Sequence, residues 1–506
     1  MHATSQALDL ARIQFAFTVS FHIIFPALSI GLASFIAVLE GAWLKTGKPV
    51  YKELCLFWSK VFAVAFGMGV VSGVVMAYEF GTNWGGFSSF AGPVTGPLLT
   101  YEVMTAVFLE AGFLGIMLFG WNKVGPKAHF GATLMVAIGT LIFTFWILAS
   151  NSWMQTPQGF RIEGDHVVPV DWFAIIFNPS FPYRLTHMAI AAFIVAALVV
   201  AATGAWHLLK GRRDPAIKKT FSMALWLLLA LTPIQAVVGD AHGLNTREYQ
   251  PAKIAAIEGL WDTEKGGTSL NLFGIPDMEA ETTKYALKVP HLGSLIFTHS
   301  WDGEIRGLKS FPKEDRPNSM LVFFSFRIMA GLGVLMIVMS MAGYWLHRKR
   351  KLFDARWFHR FVLWMGPSGF VTLFAGWVTT EAGRQPWVVY GVMRTADAVS
   401  PVTASGCVAA GVRDRVHDRV RHRHLLLAEA VASRSGFARR AHGCALFRRW
   451  QRAPSVESSA TVHRRSVNGS HLGMGRDHRA GPVDVYRARW FRSGHRHSVS
   501  VLSGSA

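Results

Sequence analysis

Cysteine is nearly missing from this chain: Cys55, Cys407 and Cys444 are the whole complement of 506 residues. No Cys-x-x-Cys pair and no Cys-x-x-Cys-His occurs, so a disulfide framework, a zinc cluster and covalently attached c-type haem have no support. Charge is scarce as well, at 16% of residues. The segment Met1 to Arg12 lacks the basic region and small-residue cleavage site of a signal peptide, so the first apolar stretch is expected to be a retained helix.

What is present is apolar length. Half of the chain (51%) is hydrophobic, with 37 Phe and 18 Trp. Apolar stretches of about 20 residues, the length that crosses a bilayer, recur where a soluble chain would divide into domains. Helices are expected near 13–40, 54–80, 95–121, 128–150, 184–208, 219–239, 319–346 and 358–381. The fold class is therefore all-α, a polytopic transmembrane helical bundle with eight readable helices. The polar linker 240–318, rich in Gly, Pro and charge, is expected outside the bilayer.

Basic residues in short loops set the orientation. Lys45, Lys48, Lys52, Lys123 and Lys127 flank the first and third loops. Lys210, Arg212, Arg213, Lys218, Lys219, Arg348, Lys349, Arg350, Lys351 and Arg356 flank the fifth and seventh. The opposite connections offer only Arg161, Arg184, Arg384 and Arg394. The odd loops are thus expected to be cytoplasmic, with the N-terminus and 240–318 outside.

Ionisable side chains at bilayer depth cost several kcal/mol and are functional candidates. His22 lies about two turns into the first expected helix, and Pro26 lacks the N–H that would bond the His22 carbonyl, so a kink is expected there. Such a histidine either bonds a neighbouring helix or ligates a cofactor. Glu102 and Glu110 are eight residues apart, ~12 Å along a helix and ~80° around it. Buried carboxylates in series suit proton conduction, or form a structural pair. His187 opens the fifth helix and Met329 lies two turns into the seventh. Together they suit a low-spin haem, although methionine in apolar helices is far more often packing. Glu381 ends the eighth helix beside Trp377 and Arg384; arginine pairs well with a haem propionate, while interfacial Trp and Arg also anchor ordinary helices. His22, Glu102, His187, Met329 and Glu381 are all expected in the outer half of the bilayer.

At these residues the chain resembles subunit I of cytochrome bd quinol oxidases. The stretches that carry the resemblance are Gly-Thr-Asn-Trp at 81–84, Gln-Pro-Ala-Lys-Ile-Ala-Ala-Ile-Glu at 250–258, Ser-Phe-Arg-Ile-Met at 325–329 and Gly-Trp-Val-Thr-Thr-Glu-Ala-Gly-Arg-Gln-Pro-Trp at 376–387. It runs from the N-terminus to about Ala404. The resemblance implies a respiratory quinol:oxygen oxidoreductase of the bacterial cytoplasmic membrane. His187 and Met329 would bind a low-spin haem b, with Arg327 close to it. His22 and Glu381 would bind the paired high-spin haems, one haem b and the other haem d or a third haem b, and which site takes which stays open. Glu102 would stand beside that pair, and Glu110 would be the deeper step of a cytoplasmic proton path. Lys253 and Glu258 match the quinol-oxidation loop, whose short form in this family often accompanies reduced cyanide sensitivity. Quinol would be oxidised at the outer face, oxygen reduced at the high-spin pair, and protons drawn from inside without a pump. Expected partners are a haem-free subunit II, a small single-helix subunit, ubiquinol or menaquinol, O2 and membrane lipid, with no nucleic acid. Two other classes stay open. A proton or cation transporter would need Glu102 and Glu110 but not His22, His187 or Met329; an electron-passing haem protein would lack an open site for carbon monoxide.

The last 102 residues depart from the family, which continues with a ninth apolar helix. From Ser405 to Ala506 there are 19 Arg and 9 His, no Lys and 6 acidic residues, a net +13 of the chain's +20. Arg421 to Leu427 can be encoded CGG CAC CGG CAC CTA CTA CTT, which shifted by one base reads Gly-Thr-Gly-Thr-Tyr-Tyr and resembles that helix. The favoured reading is an out-of-frame translation; a basic arm for lipid or RNA and a new domain are the alternatives. No fold is assigned to 405–506.

Overall fold

The computed structural model describes residues 2–105 and 112–400, with side chains from residue 7. The expectations for Glu110 and for the tail lie outside these residues. The helices are α1 (His2–His22), α2 (Ile24–Thr46), α3 (Pro49–Thr82), α4 (Gly85–Thr105), α5 (Gly112–Phe119), α6 (Pro126–Gln155), α7 (Trp172–Ile176), α8 (Phe181–Leu209), α9 (Pro215–Tyr249), α10 (Pro251–Glu258), α11 (Leu292–Thr298), α12 (Ser319–Arg348), α13 (Arg356–Met365) and α14 (Ser368–Ala382). Three antiparallel strand pairs sit in the connections: β1 (Phe160–Glu163) with β2 (His166–Pro169), β3 (Leu270–Asp277) with β4 (Thr282–Val289), and β5 (Trp387–Val389) with β6 (Met393–Arg394).

Local chemistry sets these boundaries. Pro49, Pro126, Pro215 and Pro251 open their helices, where a missing N–H costs nothing. Gly47 closes α2 at φ 67°, its N–H bonding the Trp43 carbonyl at 2.8 Å. Asn318 caps α12 by accepting from the Leu321 N–H at 3.1 Å. The helix breaks at Ile23, between His22 and Pro26, as the missing proline N–H requires.

Seven stretches among the described residues are long and apolar enough to cross a membrane: Ala7–Thr46, Pro49–Thr82, Pro126–Gln155, Phe181–Leu209, Pro215–Tyr249, Lys313–Arg348 and Arg356–Ala382. The third expected span, 95–121, falls on α4 and α5 and is not among these seven. Helix α4 starts ten residues early because its first turns are held among the connections, where the Phe87 N–H bonds the Ala398 carbonyl at 3.0 Å. Glu102 therefore sits in the fifth turn of α4, not near its start. Likewise α1 begins at His2, and His22 ends it instead of lying two turns in. Helix α9 runs ten residues past its expected end, so the linker proper starts at Gln250 and carries α10, α11 and the β3–β4 hairpin.

The four basic connections meet at one end of the bundle. Arg213 pairs with Asp354 at 2.8 Å, and the Lys52 ammonium lies 5.3 Å from the Trp121 ring centre. The other connections meet at the opposite end, where Ser400 N–H bonds the Asn83 carbonyl at 3.0 Å and Arg394 pairs with Asp315 at 2.6 Å. The main core, around Trp58, Phe62, Phe221 and Phe358, fills the space between α2, α3, α9 and α13. Small residues let α2 and α8 approach closely: a Cβ on Gly31 would stand 2.4 Å from that of Ala196. Two smaller cores, around Trp153 and Phe87 and around Ile257 and Trp261, brace the end opposite the basic loops. Val64, Val71, Val74 and Tyr78 on α3 and Val338, Met341 and Trp345 on α12 remain exposed, as faces turned to lipid or a partner are.

Candidate functional site

Ten of the eleven sequence-predicted site residues stand on the wall of one cavity of about 1460 Å³: His22, Glu102, His187, Lys253, Glu258, Arg327, Met329, Trp377, Glu381 and Arg384. They come from α1, α4, α8, α10, α12, α14 and the turn after α14, and so from almost the whole length of the described chain.

His22 bridges to α3, its Nδ1 lying 2.9 Å from Ser72 Oγ. That hydroxyl donates its one proton towards the carbonyls of Met68 (2.8 Å) and Gly69 (3.1 Å). It must therefore accept from Nδ1–H, which leaves the lone pair of the imidazole on Nε2. A neutral histidine fixed through its other nitrogen is the arrangement that metal-binding histidines use.

His187 is positioned by α9. Gln235 Nε2 donates to the His187 carbonyl at 3.1 Å, and a Cβ on Gly239 would lie only 3.3 Å from the imidazole Cε1. Its Nδ1 is buried without a hydrogen-bond partner. The ring of His242, one turn beyond Gly239, is 5.7 Å away, and its Nε2 is likewise buried and unpaired. Met329 faces Gly376, where a Cβ would stand 2.9 Å from the sulfur.

Glu381 is gripped from three sides. Oε1 accepts from Asn151 Nδ2 at 3.0 Å and Gln155 Nε2 at 3.2 Å, and Oε2 pairs with Arg384 Nη2 at 2.5 Å. Gln155 turns its own Oε1 to Lys253 Nζ (2.8 Å) and Gln250 Nε2 (3.1 Å). Burial drives the Lys253 ammonium well below the ordinary lysine range; Arg184 adds to the push and Glu381 opposes it. Arg384 is also lowered by burial, against the pull of Glu381.

Glu258 lies at the end of α10. Its Oε2 receives Arg327 Nη2 at 3.3 Å, and its Oε1 is buried with no partner. Arg327 also donates to the carbonyls of Ile257 (2.6 Å) and Asn271 (3.0 Å, from Nε), and it covers the Phe323 ring. Burial pushes the Glu258 carboxyl up to about 7, with Arg327 opposing. Glu102 reaches the wall from α4; beside it Tyr101 stacks on Trp146 of α6, ring centres 4.8 Å apart.

The wall fits haem on three counts. The donor set includes imidazole and thioether, which haem iron takes, within a largely apolar lining. Arg384 keeps Nε and Nη1, and Arg184 keeps Nε, buried without acceptors, as a propionate would require. Glycine stands where a side chain would crowd His187 or Met329. Reading the sequence passed over Asn151, Gln155, His242 and the inward role of Arg184. The last had a usable signal: an arginine three residues before His187 lies on the same helix face.

Helices long and apolar enough to cross a membrane, around a polar-studded cavity with imidazole, thioether and carboxylate groups on its wall, are the build of a cofactor-binding membrane protein. The comparisons narrow this. Residues 10–412 match the family described as cytochrome bd terminal oxidase subunit I. The cytochrome bd ubiquinol oxidase subunit 1 of Bacillus subtilis (strain 168) is 35% identical over 79% of this chain and 87% of the relative. The cytochrome bd-II ubiquinol oxidase subunit 1 of Escherichia coli (strain K12) is 30% identical over 78% and 90%. The solved bd oxidase of Geobacillus thermodenitrificans superposes with a TM-score of 0.74, at 29% identity, over 86% of this chain and 99% of that one. The chain belongs to the cytochrome bd oxidase subunit I family, and it is a multi-pass membrane quinol oxidase subunit.

Proposed function

We propose that the cavity holds three haems and that quinol is oxidised beside Lys253 and Glu258. His187 and Met329 hold the low-spin haem b. His22 and Glu381 hold the irons of the two high-spin haems, one b and the other d or a third b. Arg384 and Arg184 direct their spare N–H groups to propionates, and Trp377 and Arg327 line the same wall. When bound, these groups supply one-electron transfer and the reduction of dioxygen to water.

The residues handle the protons. Glu258 offers the unpartnered Oε1 as the base for a quinol hydroxyl, and its elevated pKa keeps it near the neutral working range. Lys253, tethered to Gln155, orients the quinol oxygen. Glu102 holds a proton beside the cavity, fed from the basic-loop end through Glu110. The excess of Lys and Arg in those loops supports a cytoplasmic placement of that end, with quinol protons leaving outside and water protons coming from inside. A haem-free subunit II and a small single-helix subunit cover apolar faces that lipid does not. The bundle is residues 1–404, and the composition of 405–506 supports an out-of-frame translation, which resequencing codons 400–410 tests: an unbroken frame overturns it.

One observation carries this reading: ten residues that the sequence singles out, seven by their chemistry and Lys253, Glu258 and Arg327 by the family resemblance, line a single cavity. An absorption spectrum of the reduced, purified holoenzyme with and without carbon monoxide tests it. Low-spin and carbon monoxide-sensitive bands are expected. A colourless protein would point to a proton transporter, and a coloured one blind to carbon monoxide to an electron carrier.

A further inference from the structure

Nearer the basic-loop end the helices bury a second polar cluster that the scheme above leaves unused. Glu40 of α2 and His129 of α6 are 0% and 2% exposed, and Thr133 of α6 is 0% exposed. His129 Nδ1 lies 2.6 Å from Glu40 Oε1, and Thr133 Oγ1 donates to Glu40 Oε2 at 2.6 Å. His129 Nε2 is buried with no partner. The Trp121 ring covers the imidazole, centres 4.0 Å apart, and the Lys52 ammonium hangs over Trp121 and Trp43 at 5.3 and 5.1 Å. A single indole therefore separates His129 from the basic loops.

A buried carboxylate and imidazole are an expensive way to join two helices, since apolar side chains of equal volume do so at no desolvation cost. Their placement gives a use. Thr133, Thr140 and Thr144 recur on α6 at intervals of seven and four residues, so they share one face at steps of about 10 and 6 Å. All three are buried, and Thr144 stands on the wall of the cavity.

We propose that Glu40, His129 and Thr133 form the proton-uptake site at the basic-loop end, from which protons move along the hydroxyl row of α6 to the cavity. A proton arriving past Trp121 binds His129 Nε2. The imidazole releases the proton on Nδ1 to Glu40 Oε1, returning to neutrality as the other tautomer. The carboxyl then turns to present that proton to the Thr133 oxygen, which takes it up as the hydroxyl swings its own proton away from Glu40 and hands it on towards the cavity, with water bridging the longer steps. This deepens the reading that protons for water come from the basic-loop side, and it rests on it.

The test is Glu40→Gln in the assembled holoenzyme, beside Glu102→Gln. The neutral amide keeps the size of Glu40 and one accepting oxygen for His129, while its N–H can donate to the Thr133 hydroxyl, which then donates to the His129 carbonyl at 3.2 Å; it cannot carry a proton. Turnover should fall at least about tenfold, the loss of one proton-transfer group. The quinol KM, the haem spectrum and anaerobic haem reduction by quinol should stay unchanged, and Glu40→Asp should recover part of the rate. Normal turnover in Glu40→Gln with slow turnover in Glu102→Gln overturns this proposal alone; normal turnover in both overturns the underlying path. Should Glu40→Gln not assemble, Thr133→Val decides: a solvent deuterium effect on turnover no larger than in the unsubstituted holoenzyme overturns the proposal.

Discussion

Gly376→Ala is the substitution through which the structure speaks most directly about Met329. An alanine Cβ would stand 2.9 Å from the Met329 sulfur. Optimal heavy-atom contact is about 3.5–4.0 Å, so the sulfur must retreat by roughly 0.6–1.1 Å. The fold can absorb this. Methionine has three rotatable bonds and lies on a cavity wall, and turning one off its rotamer costs about 0.5–1.5 kcal/mol. Replacing glycine by alanine inside a helix returns about 1 kcal/mol, so stability should hardly change. A metal ligand tolerates displacements of only about 0.2 Å, several times less than the retreat. The low-spin component of the reduced-minus-oxidised spectrum should therefore be lost or shifted. Turnover should drop at least about tenfold, equivalent to 1.4 kcal/mol on the barrier. The yield and melting temperature of the holoenzyme should stay at the level of Gly67→Ala, where the added carbon meets nothing within 4 Å. An unaltered low-spin spectrum and turnover in Gly376→Ala would refute the assignment of Met329 as a ligand.

Three further outcomes follow. Glu258 is pushed up to about 7, so the fraction ionised, and with it kcat/KM for quinol, should rise with pH through about 7 and level off above; Glu258→Gln should be slow and lack that limb. Lys253→Met removes the hydrogen bond to Gln155 and should raise the quinol KM several-fold at an unchanged haem spectrum, as a quinol titration would show. Glu381→Ala strips the carboxylate from Arg384 and its basic neighbours, which for a buried pair costs about 3–5 kcal/mol; purified protein should carry less haem per chain and melt earlier.

How much of this was legible in sequence depends on what each residue costs in the bilayer. His22, Glu102, His187 and Glu381 interrupt apolar runs, and a polar group that must be solvated by its neighbours announces itself. Asn151 and Gln155 do not, since a neutral amide near a helix end reads as the edge of a span. Residues 240–249 are polar and look like linker, yet α9 continues through them because the helix is held by tertiary contacts: Asn245 Nδ2 donates to the Pro179 carbonyl, 3.1 Å away, and Arg247 to that of Phe297, 2.8 Å away. The early start of α4 has the same origin, in the Phe87 N–H bond to the Ala398 carbonyl. Glu40 and His129 were invisible for another reason. Each lies near the end of an apolar stretch, where solvent is the default surrounding, and only the crossing of α2 with α6 shows that they are sealed against each other.

The cluster around Glu381 shows why site and stability are hard to separate in such a chain. Arg184, Arg384 and Lys253 stand around one half-buried carboxylate, so the basic groups outnumber the acid beside them. Arg184 and Arg384 still point buried N–H groups at no acceptor, at a cost of about 1–3 kcal/mol for each group left unmatched. An anion placed there relieves this cost in the folded chain and does nothing for the unfolded one. By mass action it must stabilise the fold in proportion to its affinity. Loading of a propionate-bearing cofactor and completion of the fold are on this account one equilibrium, and any substitution that weakens the guanidinium pair should be read first as a loss of bound cofactor.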